Sequence, residues 1–414
     1  MPEASSLSAT ALFRCRGYML FWTSRATATL GVQIQSVALG WIVYSVARRT
    51  MSVEVSAFYV GMIGLAAFVP VFLLALPAGE AADRHDRRTI LLLCYAGEIA
   101  TAVLLACAVG FDFATLPLLL AVSGLFGASR AFMGPASGAM GPMLAPRELL
   151  PRAIAWNSLA LQGGSILGPA LGGLLLRGPP AVSFAAAAGF YAVAAGMVFL
   201  IRDNTRPVAG TGSRWALMKE GLAYVWSNRI VFGAISLDLF AVLLGGATAL
   251  LPVFARDVLH AGPEAFGLLR AGPAMGAAVV AVALAVRPIR RHAGPIMFWG
   301  VALFGVATIV FGLSRALPLS VAALAVLGGA DMLSVYVRQT LVQIITPDQM
   351  RGRVSAVSSL FIGASNELGE FESGLAARLL GPVGGALFGG VGALVVTGLW
   401  AQLFPALRRA DRLE

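Results

Sequence analysis

Charged residues are scarce in this chain of 414 residues, at 12% of the total. A soluble globular domain carries about twice that fraction, so the composition excludes a soluble enzyme, a disordered protein and a fibrous protein. Hydrophobic residues make up 58% of the chain, and its mean hydropathy is +0.83. What remains is a polytopic membrane protein, since each helix that spans a bilayer needs about 20 mostly apolar residues.

Lysine, cysteine and histidine are also rare. Lys219 is the single lysine among 30 basic residues, which removes the phosphate-binding lysine of an ATPase loop. The three cysteines are scattered and the three histidines fall in predicted loops, so neither a disulfide framework nor a metal site is predicted. We therefore expect no cofactor. The first ten residues lack the basic and apolar regions of a removable signal peptide.

Long apolar runs divide the chain into six predicted spans, a polar break and six more. The runs lie at 18–46, 56–79, 89–110, 116–143, 153–176, 181–201, 229–254, 264–286, 294–313, 318–345, 353–376 and 383–404. Many contain glycine and proline, which membrane helices tolerate better than soluble ones. The sequence thus predicts an all-α membrane protein with twelve transmembrane helices, arranged as N-terminal (1–201) and C-terminal (229–414) six-helix bundles.

The placement of basic residues predicts the orientation in the membrane. The N-terminal tail, the even-numbered gaps and the C-terminal tail hold 20 of the 30 basic residues, with Arg229 and Arg353 counted in the gaps that they border, against 6 in the odd-numbered gaps. Cytoplasmic loops attract Lys and Arg, so both termini are predicted to be cytoplasmic in a multi-pass protein of the inner or plasma membrane. The net charge of +10 then reflects topology, and no nucleic-acid partner is expected because no single basic surface is found.

The polar break, 202–228, is the longest gap between spans. Met218, Leu222 and Val225 fall on one face of a predicted helix over 215–226. This pattern is typical of an amphipathic helix that lies at the cytoplasmic membrane interface, while a plain linker is an equal alternative.

The two halves of the chain repeat one another. At a constant offset of 201 residues, Leu144–Arg147 matches Ile345–Asp348, and Gly173 matches Gly374. Six helices duplicated in one orientation imply two halves related by an axis along the membrane normal, with substrate bound between them near the midplane.

The second gap holds Gly79, Asp83, Arg84, Arg87 and Arg88 in the spacing G-x-x-x-D-R-x-x-R-R. This resembles the loop 2–3 signature of the major facilitator superfamily, although Asp86 stands where that family has a second glycine. A charged turn between two helices could latch one conformation by pairing with neighbouring helix ends. An ordinary loop that obeys the positive-inside rule is the alternative.

The fifth span resembles the antiporter signature of drug–proton exporters in the same superfamily. It contains Gly164, Gly168, Pro169, Gly172 and Gly173 in the spacing G-x-x-x-G-P-x-x-G-G. Small residues four apart let two helices approach closely, and a proline removes one backbone hydrogen bond and can bend the helix. Such a helix suits the boundary between two rocking halves.

The C-terminal half extends the resemblance to nearly the whole chain. Residues 346–354, 365–370 and 400–409 resemble the branch of the superfamily that includes macrolide and enterobactin exporters. The resemblance implies transport by alternating access, with the first, fourth, seventh and tenth helices around a central cavity. A monomer is sufficient for this architecture.

Ionisable residues inside the predicted spans are the candidate functional groups, because each costs about 2.5–3.5 kcal/mol to insert. The proton-coupling candidates are Asp331, Glu367, Glu370, Asp238 and Glu98, and the candidate partner charges of the cavity are Arg25, Arg130 and Arg338.

The repeat places opposite charges at equivalent positions of the two halves. Arg130 corresponds to Asp331, and Arg25 to Asp238. We expect all four to be cavity charges, and expect an Arg25–Asp238 pair to help close the cytoplasmic side. Pairing of each charge within its own half is the alternative.

The eleventh span carries Glu367 and Glu370 on one helix face, where the fifth span has its antiporter signature. Two neighbouring carboxylates disfavour each other's ionised form, and burial adds to this, so such groups could carry a proton. A structural network with Arg338 is the alternative. The third coupling candidate is Glu98 in the third span, which is peripheral in the superfamily.

The function that best fits these features is a secondary active transporter. We expect a proton-coupled antiporter that exports small amphipathic, drug-like or siderophore-like compounds, with the substrate, protons and the lipid bilayer as its partners. An uptake facilitator and a lysolipid transporter of the same fold are the alternatives. A receptor or membrane enzyme is disfavoured, since no zinc-protease, serine-hydrolase or P-loop motif occurs.

Overall fold

The structure of the chain is a computed structural model, which describes residues 11–206 and 214–411. The described residues are 88% helical and contain no strand, which confirms the all-α class. Among them, eleven helices are long and apolar enough to cross a membrane.

The first six helices follow the first six predicted runs. They are α1 (Arg16–Ala47), α2 (Val53–Arg84), α3 (Arg87–Gly110), α4 (Leu116–Leu144), α5 (Leu150–Leu175) and α6 (Pro180–Phe199). Short 3-10 turns, Ala11–Arg14 and Arg147–Leu149, precede α1 and α5. The helices extend beyond the apolar runs because polar residues at their ends, such as the Ser52 side chain that caps α2, satisfy free backbone N–H groups.

The remaining helices are α7 (Arg214–Ser227), α8 (Arg229–Gly245), α9 (Pro263–Val286), α10 (Ala293–Leu313), α11 (Leu317–Ile345) and α12 (Asp348–Leu403). The seventh apolar run is less regular than predicted. Here α8 stops at Gly245, and a 3-10 turn, a short helical segment and a π-turn continue through Val258.

A break at Gly381 interrupts α12. Gly381 has a φ of +76° and a ψ of 165°, which is not helical, and Pro382 follows it. Proline disfavours the helical conformation of the preceding residue, and glycine tolerates a positive φ. The predicted runs 353–376 and 383–404 lie on either side of this break.

Helix contacts follow one pattern in the first part of the chain and repeat it in the second. In the first, α1 packs on α5 and α6, α2 on α4, and α3 on α4 and α6; in the second, α8 packs on α12, α9 on α11, and α10 on α11 and α12. The parts are joined most extensively by two crossings, α2 on α12 and α5 on α9. We call the side on which α1 and α8 begin the lower side, and the side on which they end the upper side.

Glycines allow both crossings near the upper side. A Cβ built on Gly173 of α5 would lie 2.8 Å from the Cα of Gly267 in α9, and one built on Gly374 of α12 would lie 2.8 Å from the Cα of Gly61 in α2. No side chain fits at such distances, so the backbones of the two parts touch here. Gly173 and Gly374 are the equivalent positions of the repeat.

The helix α7 lies in the polar break and packs on α12 and α8. Val225 is buried, Met218 is half-buried, and Gly221 lies against the backbone of Arg353. Leu222, which the sequence placed on the same apolar face, is 38% exposed. Gly221 makes the close approach to α12, and the placement of α7 at the membrane interface stays a prediction.

The loop between α2 and α3 is a capped helix junction. The Asp86 side chain accepts a hydrogen bond from the backbone N–H of Arg88 at 3.0 Å and another from the Thr205 hydroxyl. Asp86 therefore acts as an N-cap, with a φ of −60° that requires no glycine.

The basic residues of the same loop reach the ends of other helices. Arg88 donates to the carbonyl oxygen of Phe199, where α6 ends, at 2.5 Å, and Arg87 contacts the sulfur of Met143 near the end of α4. Glu80 and Arg84 pair within α2 at 2.8 Å. Gly79 is buried and Asp83 is half-buried.

We predict that Gly173→Val destabilises the protein by about 1–3 kcal/mol, the usual cost of overpacking a close contact. The added side chain would collide with the carbonyl oxygen of Pro263, 2.6 Å from the Cβ position. Thermal unfolding in detergent measures the effect. Gly189→Val in α6 is the matched control, since a Cβ there meets nothing within 4 Å, and equal unfolding of both variants would contradict the prediction.

Candidate functional site

A cavity of about 430 Å³ lies between the two parts of the chain. Its wall is mostly apolar and draws on α1, α2, α4, α5 and α8 to α12, with aromatic side chains from Phe126, Phe266 and Phe304. Five charged residues also line it: Arg130, Arg270, Asp331, Glu367 and Glu370. The volume lies in the range of small-molecule sites, which are typically apolar with a few polar groups.

An ion pair crosses this cavity from one part of the chain to the other. Arg130 of α4 donates to Glu367 of α12 at 2.8 Å, with the two side chains 44% and 15% exposed. The guanidinium also lies 5.9 Å from the centre of the Phe126 ring, a cation–π arrangement. Arg130 sits near the middle of α4, so the pair joins the two parts at mid-membrane depth.

A second arginine supports the neighbouring carboxylate. Arg270 of α9 lies 3.5 Å from Glu370, which also accepts a hydrogen bond from Thr248 at 3.3 Å. Near them, the Gln162 side chain of α5 donates to the carbonyl oxygen of Ala274 in α9 at 2.7 Å. The two acids of α12 therefore each have an arginine beside them.

Asp331 of α11 lines the same cavity without forming an ion pair among the residues that the structure describes. The repeat placed it opposite Arg130, and both do face the cavity. Arg130 nevertheless pairs with Glu367 of α12.

Arg25 and Asp238, which were expected to pair when the cytoplasmic side closes, do not pair with each other in this structure. Arg25 of α1 donates to the hydroxyl of Ser137 in α4 at 3.1 Å, and Asp238 of α8 pairs with Arg338 of α11 at 3.2 Å. Each charge thus bonds within its own part of the chain, since α1 packs on α4 and α8 on α11. Ser137 and Arg338 are themselves equivalent at the offset of 201.

The Asp238–Arg338 pair also means that Arg338 does not bind the two acids of α12. We considered Arg338 as a partner of Glu367 and Glu370, but it is 1% exposed and bound to Asp238, itself 6% exposed. Neither Asp238 nor Arg338 lines the cavity. A buried pair of this kind holds helices together, since an unpaired charge here would be very costly.

Glu98 of α3 lies outside the cavity wall and is fully buried. Neither of its carboxylate oxygens has a hydrogen-bond partner among the described residues. The adjacent Gly97 lies against Ser129 of α4, with 3.1 Å between its Cβ position and the Ser129 hydroxyl oxygen. Glu98 therefore lies behind the cavity, beside the part of α4 that carries Arg130.

Polar contacts close the upper side of the cavity. The Tyr44 hydroxyl donates to Asp257 at 2.5 Å, Arg48 lies 3.4 Å from the same carboxylate, and Arg177 lies 3.4 Å from Glu264. Each joins the first part of the chain to the second. Together with the glycine crossings, they hold the two parts of the chain against each other on the upper side.

The lower side is open. A Cβ built on Gly134 or Gly138, one and two turns below Arg130 on α4, would meet nothing within 4 Å. The same holds for Gly363, one turn below Glu367 on α12. The cavity therefore widens from the ion pair toward the lower side.

The antiporter-like motif of α5 packs on two neighbours rather than on the cavity. Gly164 and Gly168 lie against Thr29 and Gln33 of α1, and Gly172 lies against Ile34 of the same helix. Gly173 and the carbonyl oxygen of Pro169 face Gly267 of α9. One face of the motif thus fixes α5 within its bundle, and the other forms the crossing with α9.

The sequence did not assign roles to Arg270 or to the Tyr44–Asp257 contact. Arg270 was recognisable as an intramembrane charge, but no sequence pattern indicated which carboxylate it would contact. Asp257 fell in a predicted gap, so no pattern distinguished it from an ordinary loop carboxylate.

Taken together, a multi-helix membrane fold around a charged cavity that opens on one side is the architecture of a membrane transporter. The chain belongs to the transmembrane secretion effector family, which it matches over residues 7–414. It is a transporter of the major facilitator superfamily.

Curated relatives align with almost the whole chain. The multidrug efflux pump Tap of Mycobacterium tuberculosis is 27% identical over 414 residues, which cover 95% of this chain and 94% of Tap. The enterobactin exporter EntS of Citrobacter koseri is 28% identical over 392 residues, covering 91% of this chain and 90% of EntS.

Solved structures with this fold are more distant in sequence. A POT family transporter in complex with a thioalcohol-conjugated peptide superposes with a TM-score of 0.73 at 13% identity, covering 95% of this chain and 96% of the other. A bacterial homologue of ferroportin in an inward-facing state gives a TM-score of 0.70 at 17% identity, covering 94% and 99%. At these identities the likeness shows the fold alone.

We predict that Asp238→Asn lowers the free energy of unfolding by about 3–5 kcal/mol, because it leaves the Arg338 guanidinium buried without its counter-charge. Denaturant or thermal unfolding in detergent measures this. Asp348→Asn is the matched control, since its pair with Arg351 at 2.8 Å is on the surface, with Asp348 85% exposed, where pairs contribute about 0–1 kcal/mol. A loss at Asp238 no larger than that at Asp348 would contradict a structural role for the pair.

Proposed function

We propose that this protein is a proton-coupled antiporter that exports small amphipathic compounds through the inner or plasma membrane by alternating access. The observation that carries the proposal is the cavity crossed by the Arg130–Glu367 ion pair at 2.8 Å. Efflux relatives at 27–28% identity support the direction of transport.

The cavity suits an amphipathic substrate. Its volume of about 430 Å³ fits a drug-sized molecule, and its apolar wall gives such a molecule a place to bury its rings or chains. Its five charged side chains, two basic and three acidic, sum to −1 when all are ionised. Asp331, the cavity acid that forms no ion pair among the described residues, favours a substrate with a positively charged group.

Alternating access follows from how the two parts of the chain touch. We assign two pseudo-symmetric six-helix bundles, 1–201 and 229–414, joined by the linker 202–228. The number of spans is twelve when the halves of α12 on either side of Gly381 are counted separately. The contacts between bundles that close the upper side include two glycine crossings, a few polar bonds and apolar packing, in which Trp41 of α1 stacks on Phe266 of α9. Rocking of the bundles about mid-depth would open the upper side and close the lower one.

The orientation comes from the basic residues. With both termini in the cytoplasm, as the positive-inside rule predicts, the lower side is cytoplasmic and this structure is the inward-facing state. The exposed Trp215 and Trp226 of α7 then lie at the cytoplasmic membrane interface, where tryptophan is favoured. A monomer contains the complete cavity.

Proton coupling is assigned to the cavity carboxylates and their arginines. Glu367 and Glu370 each have one arginine within 3.5 Å, so a substrate cation or a proton that neutralises either acid changes an ion pair between helices. Asp238 is assigned a structural role instead, because Arg338 holds it away from the cavity.

Transport by purified protein in liposomes loaded with a pH-sensitive dye tests the proposal. Under an imposed proton gradient, addition of a lipophilic amine to the wild type should drive proton flux opposite to the movement of the amine. Because the arginine pairs depend on these acids, Glu367→Gln and Glu370→Gln should lose most of the amine-dependent proton flux, and Asp331→Asn should bind the amine more weakly.

Glu372→Gln is the matched control, since it makes the same substitution in α12 on a carboxyl that does not line the cavity. It should keep wild-type flux. Amine movement without any proton flux, equal in all variants, would contradict antiport and indicate a facilitator of the same fold.

A further inference from the structure

Glu98 is an ionisable residue to which the proposed function gives no role, and its surroundings are unusual. It is 0% exposed, and both of its carboxylate oxygens lack a hydrogen-bond partner among the residues that the structure describes. An ionised carboxylate in such a place would cost far more free energy than the helix could recover. Glu98 is therefore neutral in this conformation, with a proton on its carboxyl group.

The groups around Glu98 include one positive charge. Cys94 and Tyr95 share its helix, Tyr191 faces it from α6, and Arg130 acts on it from α4. The cysteine and the two tyrosines are neutral near pH 7. Arg130 is thus the cation available to an ionised Glu98.

Arg130 is also the residue that pairs across the cavity. Its charge interacts with Glu367, Glu370 and Glu98, so it lies between an acid of the other bundle and an acid of its own. In this structure it bonds to Glu367 at 2.8 Å. Glu98 has no hydrogen bond to Arg130, although Gly97, the residue before Glu98, lies against Ser129, the residue before Arg130.

We propose that Glu98 is the alternate partner of Arg130, and that a cationic substrate which binds Glu367 transfers Arg130 to Glu98 and so releases the proton of Glu98. The inference rests on the proposed antiport function and deepens it, because it names the proton site and the charge of the substrate.

The exchange balances in charge. Before binding, Arg130 neutralises Glu367, and the proton neutralises Glu98. After binding, the substrate cation neutralises Glu367 and Arg130 neutralises Glu98, while one proton leaves the Glu98 carboxyl for the water of the open cavity. One positive charge enters the site for each proton that leaves. The substrate cation at Glu367 and the proton on Glu98 therefore exclude each other, although they bind to different carboxyl groups. Return of Arg130 to Glu367 after substrate release lets Glu98 take a proton again.

Proton release on ligand binding tests this exchange directly. Tetraphenylphosphonium is a suitable probe because it is a permanent cation that carries no dissociable proton. Added to purified wild-type protein in weakly buffered detergent solution with a pH indicator, it should release about one proton per cation bound. Its affinity should then weaken by up to about tenfold for each unit by which the pH is lowered, by linkage.

Glu98→Gln should bind the cation with no proton release and with an affinity that no longer depends on pH. Glu372→Gln should behave like the wild type. Undiminished proton release from Glu98→Gln would overturn the proposal, as would wild-type protein that binds the cation without releasing a proton.

A second variant keeps the test independent of how well Glu98→Gln folds. In Glu367→Gln, Arg130 has lost its partner across the cavity and should pair with Glu98 before any ligand is added. The infrared band of a protonated carboxyl assigned to Glu98 should then be absent from this variant and present in the wild type. Persistence of that band in Glu367→Gln would contradict the exchange.

Failure of this inference is distinguishable from failure of the proposed function. If amine-driven proton antiport occurs in liposomes but Glu98→Gln still releases the proton, the function stands and the proton site lies elsewhere in the cavity. If the wild type moves substrate with no proton flux, both are wrong. If the wild type does not bind tetraphenylphosphonium, the assignment of a cationic substrate is wrong.

Discussion

The cost of a charge inside the membrane governs the arrangement of this transporter. Every buried arginine needs a polar partner, and Arg130 finds its partner, Glu367, in the other bundle at 2.8 Å. The same constraint explains the Asp238–Arg338 pair, which is buried and stays within one bundle. Pairs within a bundle hold its helices together, whereas the pair between bundles ties the position of the bundles to the charge state of the cavity.

The contacts that close the upper side differ in kind from this pair. Gly61, Gly173, Gly267 and Gly374 bring backbones of the two bundles together without side chains between them. Side-chain pairs such as Arg177–Glu264 are half-exposed and therefore weak. Apolar packing, glycine crossings and polar bonds together close the upper side, and the Arg130–Glu367 pair joins the bundles at mid-depth.

Much of this could be predicted from the sequence, because apolar runs and the glycine spacing of α5 report directly on helices and close packing. The repeat located the equivalent positions Arg25 and Asp238, but it could not say whether they pair with each other. That depends on which helices touch, and α1 packs on α4 while α8 packs on α11. The Arg130–Glu367 contact and the isolation of Glu98 likewise depend on tertiary distances that no one-dimensional pattern carries.

Substitutions that swap the charges of Arg130 and Glu367 test most directly whether this pair sets the conformation. Spin labels at Thr50 and His260, both exposed near the upper side, would report the separation of the bundles by pulsed electron paramagnetic resonance. The account predicts that Arg130→Glu or Glu367→Arg alone shifts the distances to longer values, and that the double variant restores the short distances of the wild type. Single variants with unchanged distances, or a double variant as open as the singles, would contradict it.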